Sequence, residues 1–326
     1  MKNSILATLL VAALTYTSDV FSDVFFGEKT IIIFGEIAAR DFDQISDRQN
    51  ELAYKDIGLI SPGGDVTAAL NIGRLIRQYE GNTTSGFPIL FHSDNAEAMP
   101  LELKKFASDL NLELYGDLNI EEQIEIYHGI NSRVHCYSAC VLIWISGVTR
   151  SVGRGQWGIH RPYLASESAD SNEVRMRYET LRVNVEIYVS EMGVDSRFYD
   201  LMMNTPPDQI RVFEPNEIDE LVPRQDPLHQ EIMTNAYAKL YEIPIIEYRQ
   251  RVADRELCPL DDMDCRDAAM WGVSKGTFLR AKEPYSECVI PPEILNSIRS
   301  LKQSERMLSQ AQVERYKCRK AALYTL

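Results

Sequence analysis

Hydrophobic and polar positions in the first part of the chain follow strand and helix periods in turn. The apolar run in "KTIIIFGEI" (29–37) predicts a buried strand, and "DIGLI" (56–60) predicts a second strand that ends in the glycine turn "SPGG" (61–64). The following "DVTAALNIGRLIRQY" (65–79) carries its apolar residues on one helical face. Strand, glycine turn and helix in this order are typical of a βαβ unit, so we predict an α/β fold with a mostly parallel sheet.

The same alternation continues further along the chain. The segment "SRVHCY" (132–137) predicts a strand, and the apolar "SACVLIWIS" (138–146) predicts a buried helix. A short extended segment follows in "QWGIHRPY" (156–163), and a long helix is predicted over residues 173–192. The remainder of the chain is predicted to be mostly helical.

The composition divides the chain into three parts. Residues 1–22 have a lysine, a short apolar run and then small residues, which is the pattern of a secretory signal peptide; a buried N-terminal helix is the alternative. Residues 23–224 form the predicted α/β domain, with a more polar insertion at about 81–131, and residues 225–326 form a helical C-terminal extension that contains four of the cysteines. The protein is therefore expected to be exported, either periplasmic or secreted.

Charge and cysteine content narrow the function. A formal net charge of −14 argues against nucleic acid as a partner, because that binding depends on basic patches. An even set of six cysteines in an exported protein predicts disulfides, although six cysteines allow 15 pairings. A metal site is not predicted, because no CxxC pair exists and histidines are few. The cysteines are Cys136, Cys140, Cys258, Cys265, Cys288 and Cys318.

Three segments carry candidate hydrolytic chemistry. Ser138 lies where a predicted strand becomes a helix, a position that suits a nucleophilic serine and equally an ordinary N-cap. The glycines of "SPGG" let the backbone approach a substrate closely, although such a tetrapeptide also forms simple β-turns. His160 in "GIHRP" follows an extended segment, so a loop holds an imidazole near the edge of the sheet. Each signal is ambiguous when taken alone.

Taken together, the order of these segments resembles the Clp peptidase branch of the ClpP/crotonase superfamily. The resemblance covers roughly residues 29–222, which would make residues 23–224 a ClpP-like domain with the ββα superhelical fold of that superfamily, and it is strongest to exported ClpP-like proteins with a "CxSAC" motif. The resemblance implies a serine peptidase without a cofactor. Because an exported compartment lacks ATP, no ATPase partner is expected, and substrates would be peptides or unfolded protein. Family members stack into rings, so the resemblance also implies a homo-oligomer.

The resemblance also assigns roles to individual residues. Ser138 would be the nucleophile and His160 the general base, and the backbone N–H groups of Gly64 and Ala139 would form the oxyanion hole. Asp208 in "TPPDQIRVFEPNEIDEL" is the best match for the triad acid, and Asp200 and Glu214 are the alternatives.

Two alternatives remain open at the level of sequence. Cys136 or Cys140 could act as a thiolate nucleophile, with His135 or His160 as its base; we favour instead a disulfide between the two cysteines that braces the serine turn. Alternatively, the fold could serve as a catalytically inactive scaffold or peptide-binding oligomer. A reactive serine distinguishes the peptidase from the scaffold.

Overall fold

The computed structural model describes residues 23–27, 29–53, 55–86, 135–151, 156–164 and 172–324. The predicted signal peptide and residues 87–131 of the predicted insertion lie outside these ranges. Within them, no helix is both long enough and apolar enough to cross a membrane.

The strands form two sheets. In chain order they are β1 (Asp23–Phe26), β2 (Thr30–Phe34), β3 (Asp56–Ile60), β4 (Asn82–Ser85), β5 (His135–Tyr137), β6 (Arg150–Ser151), β7 (Gln156–Ile159) and β8 (Arg211–Phe213). The larger sheet has the order β1-β2-β3-β4-β6, and all of its pairs except β1–β2 are parallel. The smaller sheet has the order β5-β7-β8, with β5 and β7 parallel. The prediction of a mostly parallel sheet is confirmed.

Helices cover the sheets and form the rest of the chain. The helices of the first domain are α1 (Ala39–Asp47), α2 (Val66–Gln78), α3 (Ala139–Trp144), α4 (Asn172–Glu191), α5 (Ser196–Asn204) and α6 (Pro215–Leu221). A 3-10 turn at Gln49–Ala53 follows α1. The helices of the C-terminal extension are α7 (Pro227–Leu240), α8 (Ile245–Glu256), α9 (Met263–Trp271), α10 (Lys275–Glu287), α11 (Pro292–Ser297), α12 (Gln303–Met307) and α13 (Gln310–Tyr324). The predicted helical extension is therefore confirmed.

The apolar run of β2 is explained by burial on both faces. Ile31, Ile32 and Ile33 are all fully inaccessible to solvent, so side chains on each side of the sheet are covered. Parallel sheets require such covering because their crossover connections place helices on the faces. The amphipathic α2 contributes its apolar side to the same core, where Ile72 and Ile76 are fully buried.

One strand lies in a segment that the sequence pattern assigned to the insertion. Residues 82–85, "NTTS", form β4, which pairs with β3 inside the larger sheet. These residues are polar, so they lack the apolar pattern that predicts a buried strand. Thr83 is nevertheless buried, and its hydroxyl donates a hydrogen bond to the Trp144 carbonyl at 2.7 Å. A buried hydroxyl with a partner costs little, so a strand of polar β-branched residues is tolerated here.

The C-terminal extension has a core of its own. Trp271, Phe278, Tyr285 and Tyr316 are buried together, and the disulfides Cys258–Cys265 and Cys288–Cys318 link its segments.

The extension also contacts the first domain. The backbone N–H and the hydroxyl of Ser304, at α12, donate to the Glu80 carboxylate at 2.8 and 2.6 Å. Arg306 donates to the Ala53 carbonyl at 2.8 Å. These bonds attach α12 to the first domain at two places, Glu80 just after α2 and Ala53 at the end of the 3-10 turn.

Candidate active site

Ser138 occupies a strained turn between β5 and α3. Its backbone angles, φ 54° and ψ −121°, lie in a region that residues with a side chain rarely adopt. The backbone N–H donates to the Gly158 carbonyl at 2.8 Å, which holds the turn against β7. Ser138 takes the N-cap position of α3, but its hydroxyl makes no capping hydrogen bond to the helix. A strained strand-to-helix turn whose serine hydroxyl does not cap the helix is the arrangement of a nucleophile elbow.

A disulfide encloses this turn. Cys136 and Cys140 are bonded to each other, with their Cα atoms 5.2 Å apart, and both are fully buried. The predicted bridge is therefore present, and neither sulfur is a thiolate in this structure. His135, the alternative base for a thiol, stacks on Tyr137 with ring centroids 4.7 Å apart. Burial lowers the pKa of His135.

The glycine turn is brought to Ser138 by pairing between the two sheets. The N–H of Ser61 donates to the His135 carbonyl, and the N–H of Tyr137 donates to the Ser61 carbonyl, both at 3.0 Å. Gly63 follows with φ 114°, and a Cβ at this position would lie 2.7 Å from the Cβ of Ser138. Only glycine therefore fits between this turn and the serine, for reasons of both backbone angle and space.

Gly64 is held by a second contact. It forms an isolated parallel bridge with Ile37, in which the Ile37 N–H donates to the Gly63 carbonyl at 2.7 Å and the Asp65 N–H donates to the Ile37 carbonyl at 2.8 Å. A Cβ on Gly64 would lie 2.2 Å from the Ile37 carbonyl oxygen. In a parallel bridge the hydrogen bonds come from the residues on either side, so the N–H of Gly64 itself is directed away from Ile37. This leaves it available as a donor.

His160 reaches the same place through strand register. β7 runs parallel to β5 with Tyr137 opposite Gly158, so the residues that follow the two strands, Ser138 and His160, emerge at the same edge. The His160 Nδ1 lies 3.0 Å from the carbonyl oxygen of Arg161. A carbonyl accepts hydrogen bonds only, so this contact favours a proton on Nδ1 and leaves Nε2 as the basic nitrogen.

One cavity collects these groups. It has a volume of about 650 Å³, and its walls include Ser138, His160, Gly63 and Gly64. Ala139, the other predicted oxyanion donor, is fully buried directly after the serine. No hydrogen bond joins the Ser138 hydroxyl to the His160 ring among the described residues. Catalytic hydrogen bonds are commonly long without substrate, so the shared cavity is the informative observation.

Asp208 lies in a loop beside His160. The loop begins near Thr205, whose carbonyl accepts from the Arg161 N–H at 2.9 Å, and it ends at Arg211, which pairs with Ile159. Both ends are therefore attached to residues adjacent to the histidine. The Asp208 side chain is exposed and does not line the cavity.

The alternative acids are also outside the cavity walls. Asp200 is exposed on α5, and Glu214 is exposed immediately before α6. Both residues lie outside the loop between Thr205 and Arg211, so the two backbone attachments that hold this loop beside His160 do not position them.

The cavity also contains residues that the sequence pattern did not single out. Glu36 lines it from the segment after β2, and Leu181 lines it from α4. Glu36 precedes the buried Ile37, so alternation along an extended chain places it on the opposite, outer side. An acidic residue directly after a buried strand was the available signal in the sequence. No group of three or more His, Cys, Asp or Glu side chains suited to a metal ion occurs in the described ranges.

Solved structures similar to this chain include two structures of ClpP1 and one of another protease. A mutant of ClpP1 from Listeria monocytogenes matches 59% of this chain and 86% of its own, at 15% identity and a TM-score of 0.36. ClpP1 from Listeria monocytogenes matches the same shares at 13% identity and a TM-score of 0.34. A mutant of the 1510-N membrane-bound stomatin-specific protease matches 66% of this chain and 86% of its own, at 15% identity and a TM-score of 0.36.

No protein-family model matches the sequence, and a search of curated proteins finds no relative. The likenesses to solved structures concern the fold only. The chemistry of the site is therefore argued from its own residues.

Proposed function

We propose that this chain is an exported, ATP-independent serine hydrolase of the ClpP-like type that cleaves peptides or unfolded protein. The observation that carries the proposal is the state of Ser138: its backbone is strained, its hydroxyl caps no helix, and it lines a cavity together with His160 and two glycines. Strained backbone is usually retained where function requires it. The three modest sequence signals thus meet in one cavity.

The proposed reaction follows from the positions of these groups. The Ser138 Oγ attacks the carbonyl carbon of the substrate while its proton passes to the Nε2 of His160. The resulting oxyanion accepts hydrogen bonds from the N–H groups of Gly64 and Ala139. The imidazolium then gives its proton to the leaving amine, and the acyl-enzyme remains. Water, deprotonated by His160, hydrolyses the acyl-enzyme and regenerates the serine.

Asp208 is proposed as the third member of the triad. Its loop is attached to the residues on both sides of His160, and a carboxylate near the ring would stabilise the imidazolium that forms during the reaction. The Arg161 carbonyl already accepts from the Nδ1 side of the ring, so we assign Asp208 an electrostatic role. The proposal needs no cofactor, metal or ATPase partner.

The location and assembly are also proposals. Disulfides form and persist in oxidising compartments, and the three disulfides of this chain are compatible with a periplasmic or secreted protein. Self-association into a homo-oligomer is proposed from the sequence resemblance only. Nucleic acid is not proposed as a partner.

An inactive peptide-binding scaffold is the second candidate. It is favoured by one observation, that Asp208 is exposed and outside the cavity walls. Labelling with a neutral fluorophosphonate distinguishes the two candidates. The hydrolase is expected to be labelled at Ser138, with labelling lost in Ser138→Ala; an intact, folded protein that is not labelled would be a scaffold.

A further inference from the structure

The charged groups around the candidate nucleophile are unevenly distributed. The carboxylates that line the cavity are Glu36 and Asp65, and no lysine or arginine among the described residues lines it. One oxygen of Asp65 is already used, because Oδ1 accepts from the Ala68 N–H at 3.0 Å as the N-cap of α2. Glu36 is exposed to the cavity and is the carboxylate that a ligand can reach most freely.

The register of the glycine turn places Glu36 close to the reacting groups. Ile37 pairs with Gly64, so Glu36 stands next to Gly63 in the same parallel register. Gly63 in turn is in direct contact with Ser138, since a Cβ on it would lie 2.7 Å from the serine Cβ. Glu36 is therefore next to a residue that contacts the nucleophile. A substrate side chain next to the scissile bond can reach it.

The cavity continues into a groove with a different character. An adjoining cavity of about 380 Å³ shares Thr67, Leu164 and Leu181 with the first one. Its charges compensate each other, because Arg177 and Glu173 form an ion pair at 2.5 Å. Among the described residues, the negative charge without a neighbouring cation in the cavity wall therefore lies at the Ser138 end, whereas the other end has apolar side chains and an ion pair.

We infer that Glu36 selects substrates that carry a lysine or arginine side chain within about two residues of the scissile bond. The inference rests on the proposed hydrolase function and specifies its substrate class. A cationic substrate side chain in this cavity is attracted by the Glu36 carboxylate, whereas an acidic side chain in the same place is repelled by Glu36 and Asp65. A neutral side chain of similar size experiences neither effect.

A set of matched peptides tests the inference. Quenched fluorescent peptides identical except at one position, occupied by Lys, Gln or Glu, are scanned through the two positions on each side of the cleaved bond. At one position, kcat/KM should be about tenfold higher for Lys than for Gln, and lower again for Glu. The preference should weaken as ionic strength rises, because salt screens the attraction.

Variants identify the carboxylate responsible. Glu36→Gln should remove the preference for Lys, and Glu36→Lys should favour the Glu peptide. Glu220→Gln is the matched control, because Glu220 is exposed on α6 outside the cavity and should leave the preference unchanged. Labelling by the neutral fluorophosphonate is measured for each variant, since it reports the serine without involving charge selection.

The outcomes separate the two proposals. If Ser138 is labelled but the Lys, Gln and Glu peptides are cleaved equally, or if Glu36→Gln keeps the preference, the assignment of Glu36 is wrong and the hydrolase stands. If a folded protein is neither labelled nor active on any peptide, the hydrolase proposal and this inference fail together. Labelling with a Lys preference that depends on Glu36 supports both.

Discussion

Gly63 and Ser138 are packed so closely that no side chain fits at position 63. A Cβ there would lie 2.7 Å from the serine Cβ and 3.2 Å from its Oγ, and the backbone at Gly63 has φ 114°. The glycine turn and the candidate nucleophile therefore form one structural unit, although more than seventy residues separate them along the chain. A substitution in the glycine turn should therefore alter the position of the serine, and a substitution at the serine should alter the turn.

Gly63→Ala should displace the serine. We expect the rate of fluorophosphonate labelling to fall at least tenfold, and stability to fall by about 1–3 kcal/mol because the backbone angle is unfavourable for alanine. The measurements are labelling kinetics and urea unfolding. Gly276→Ala is the control: its Cβ would meet nothing closer than 3.9 Å on α10, so labelling should be unchanged. Normal labelling of Gly63→Ala would contradict the close packing.

Ser138 and His160 should act as one catalytic unit. Ser138→Ala and His160→Gln should each remove most hydrolysis of a peptide substrate, and the double variant should be little worse than either single one. The measurement is kcat/KM for the three variants beside thermal unfolding, which should be nearly unchanged for His160→Gln. Additive losses would show that the two residues contribute independently and would refute the proposed proton transfer.

Asp208→Asn should reduce activity less than loss of the serine or the histidine. The Arg161 carbonyl still orients the His160 ring, so we expect kcat to fall about ten- to a hundredfold through lost stabilisation of the imidazolium. Asp200→Asn and Glu214→Gln are the comparison variants and should retain kcat within about threefold. A larger loss in either of them than in Asp208→Asn would reassign the acid.

The disulfide around Ser138 should support reactivity as well as stability. Replacing both Cys136 and Cys140 with alanine releases a bridge that spans the strained turn, so we expect labelling to slow at least tenfold. Replacing Cys258 and Cys265 with alanine removes a bridge in the extension and should leave labelling unchanged. Each pair is expected to contribute about 2–4 kcal/mol to stability, so both variants are compared well below their unfolding temperatures.

Equal labelling rates in the two cysteine variants would contradict this role. The strained conformation of Ser138 would then be held by hydrogen bonds and packing alone.

The ion pair between Arg77 and Asp226 should stabilise the junction with the extension. Its atoms are 2.6 Å apart, and the two side chains are 19% and 4% exposed. Asp226 Oδ2 also accepts from the His229 N–H at 2.8 Å, which caps α7. Asp226→Asn should lower the free energy of unfolding by about 2–4 kcal/mol, because the half-buried Arg77 guanidinium loses its buried counter-charge.

Urea unfolding measures this effect. Glu231→Gln is the matched control. Glu231 pairs with Arg249 at a similar distance, 2.7 Å, but the two side chains are 50% and 57% exposed. Exposed ion pairs contribute little, so this variant should unfold almost as the parent does. Similar losses in both variants would show that burial of Asp226 does not govern its contribution.

The sequence by itself determined the local elements and the residues that belong to them. Apolar runs and glycine turns specify β2, β3 and α2 because periodicity and backbone freedom act over a few residues. The same reasoning named Ser138 and His160 as candidates. It missed the strand at 82–85, because buried threonines with hydrogen-bond partners do not read as apolar.

Only the tertiary structure decided which distant segments meet. The pairing of Ser61 with Cys136 and the register of β5 with β7 bring the glycine turn, the serine and the histidine to one cavity. The choice among the 15 cysteine pairings and the entry of Glu36 into the cavity depend on the same contacts. Local sequence patterns do not encode such distances, because each depends on how the whole sheet is assembled.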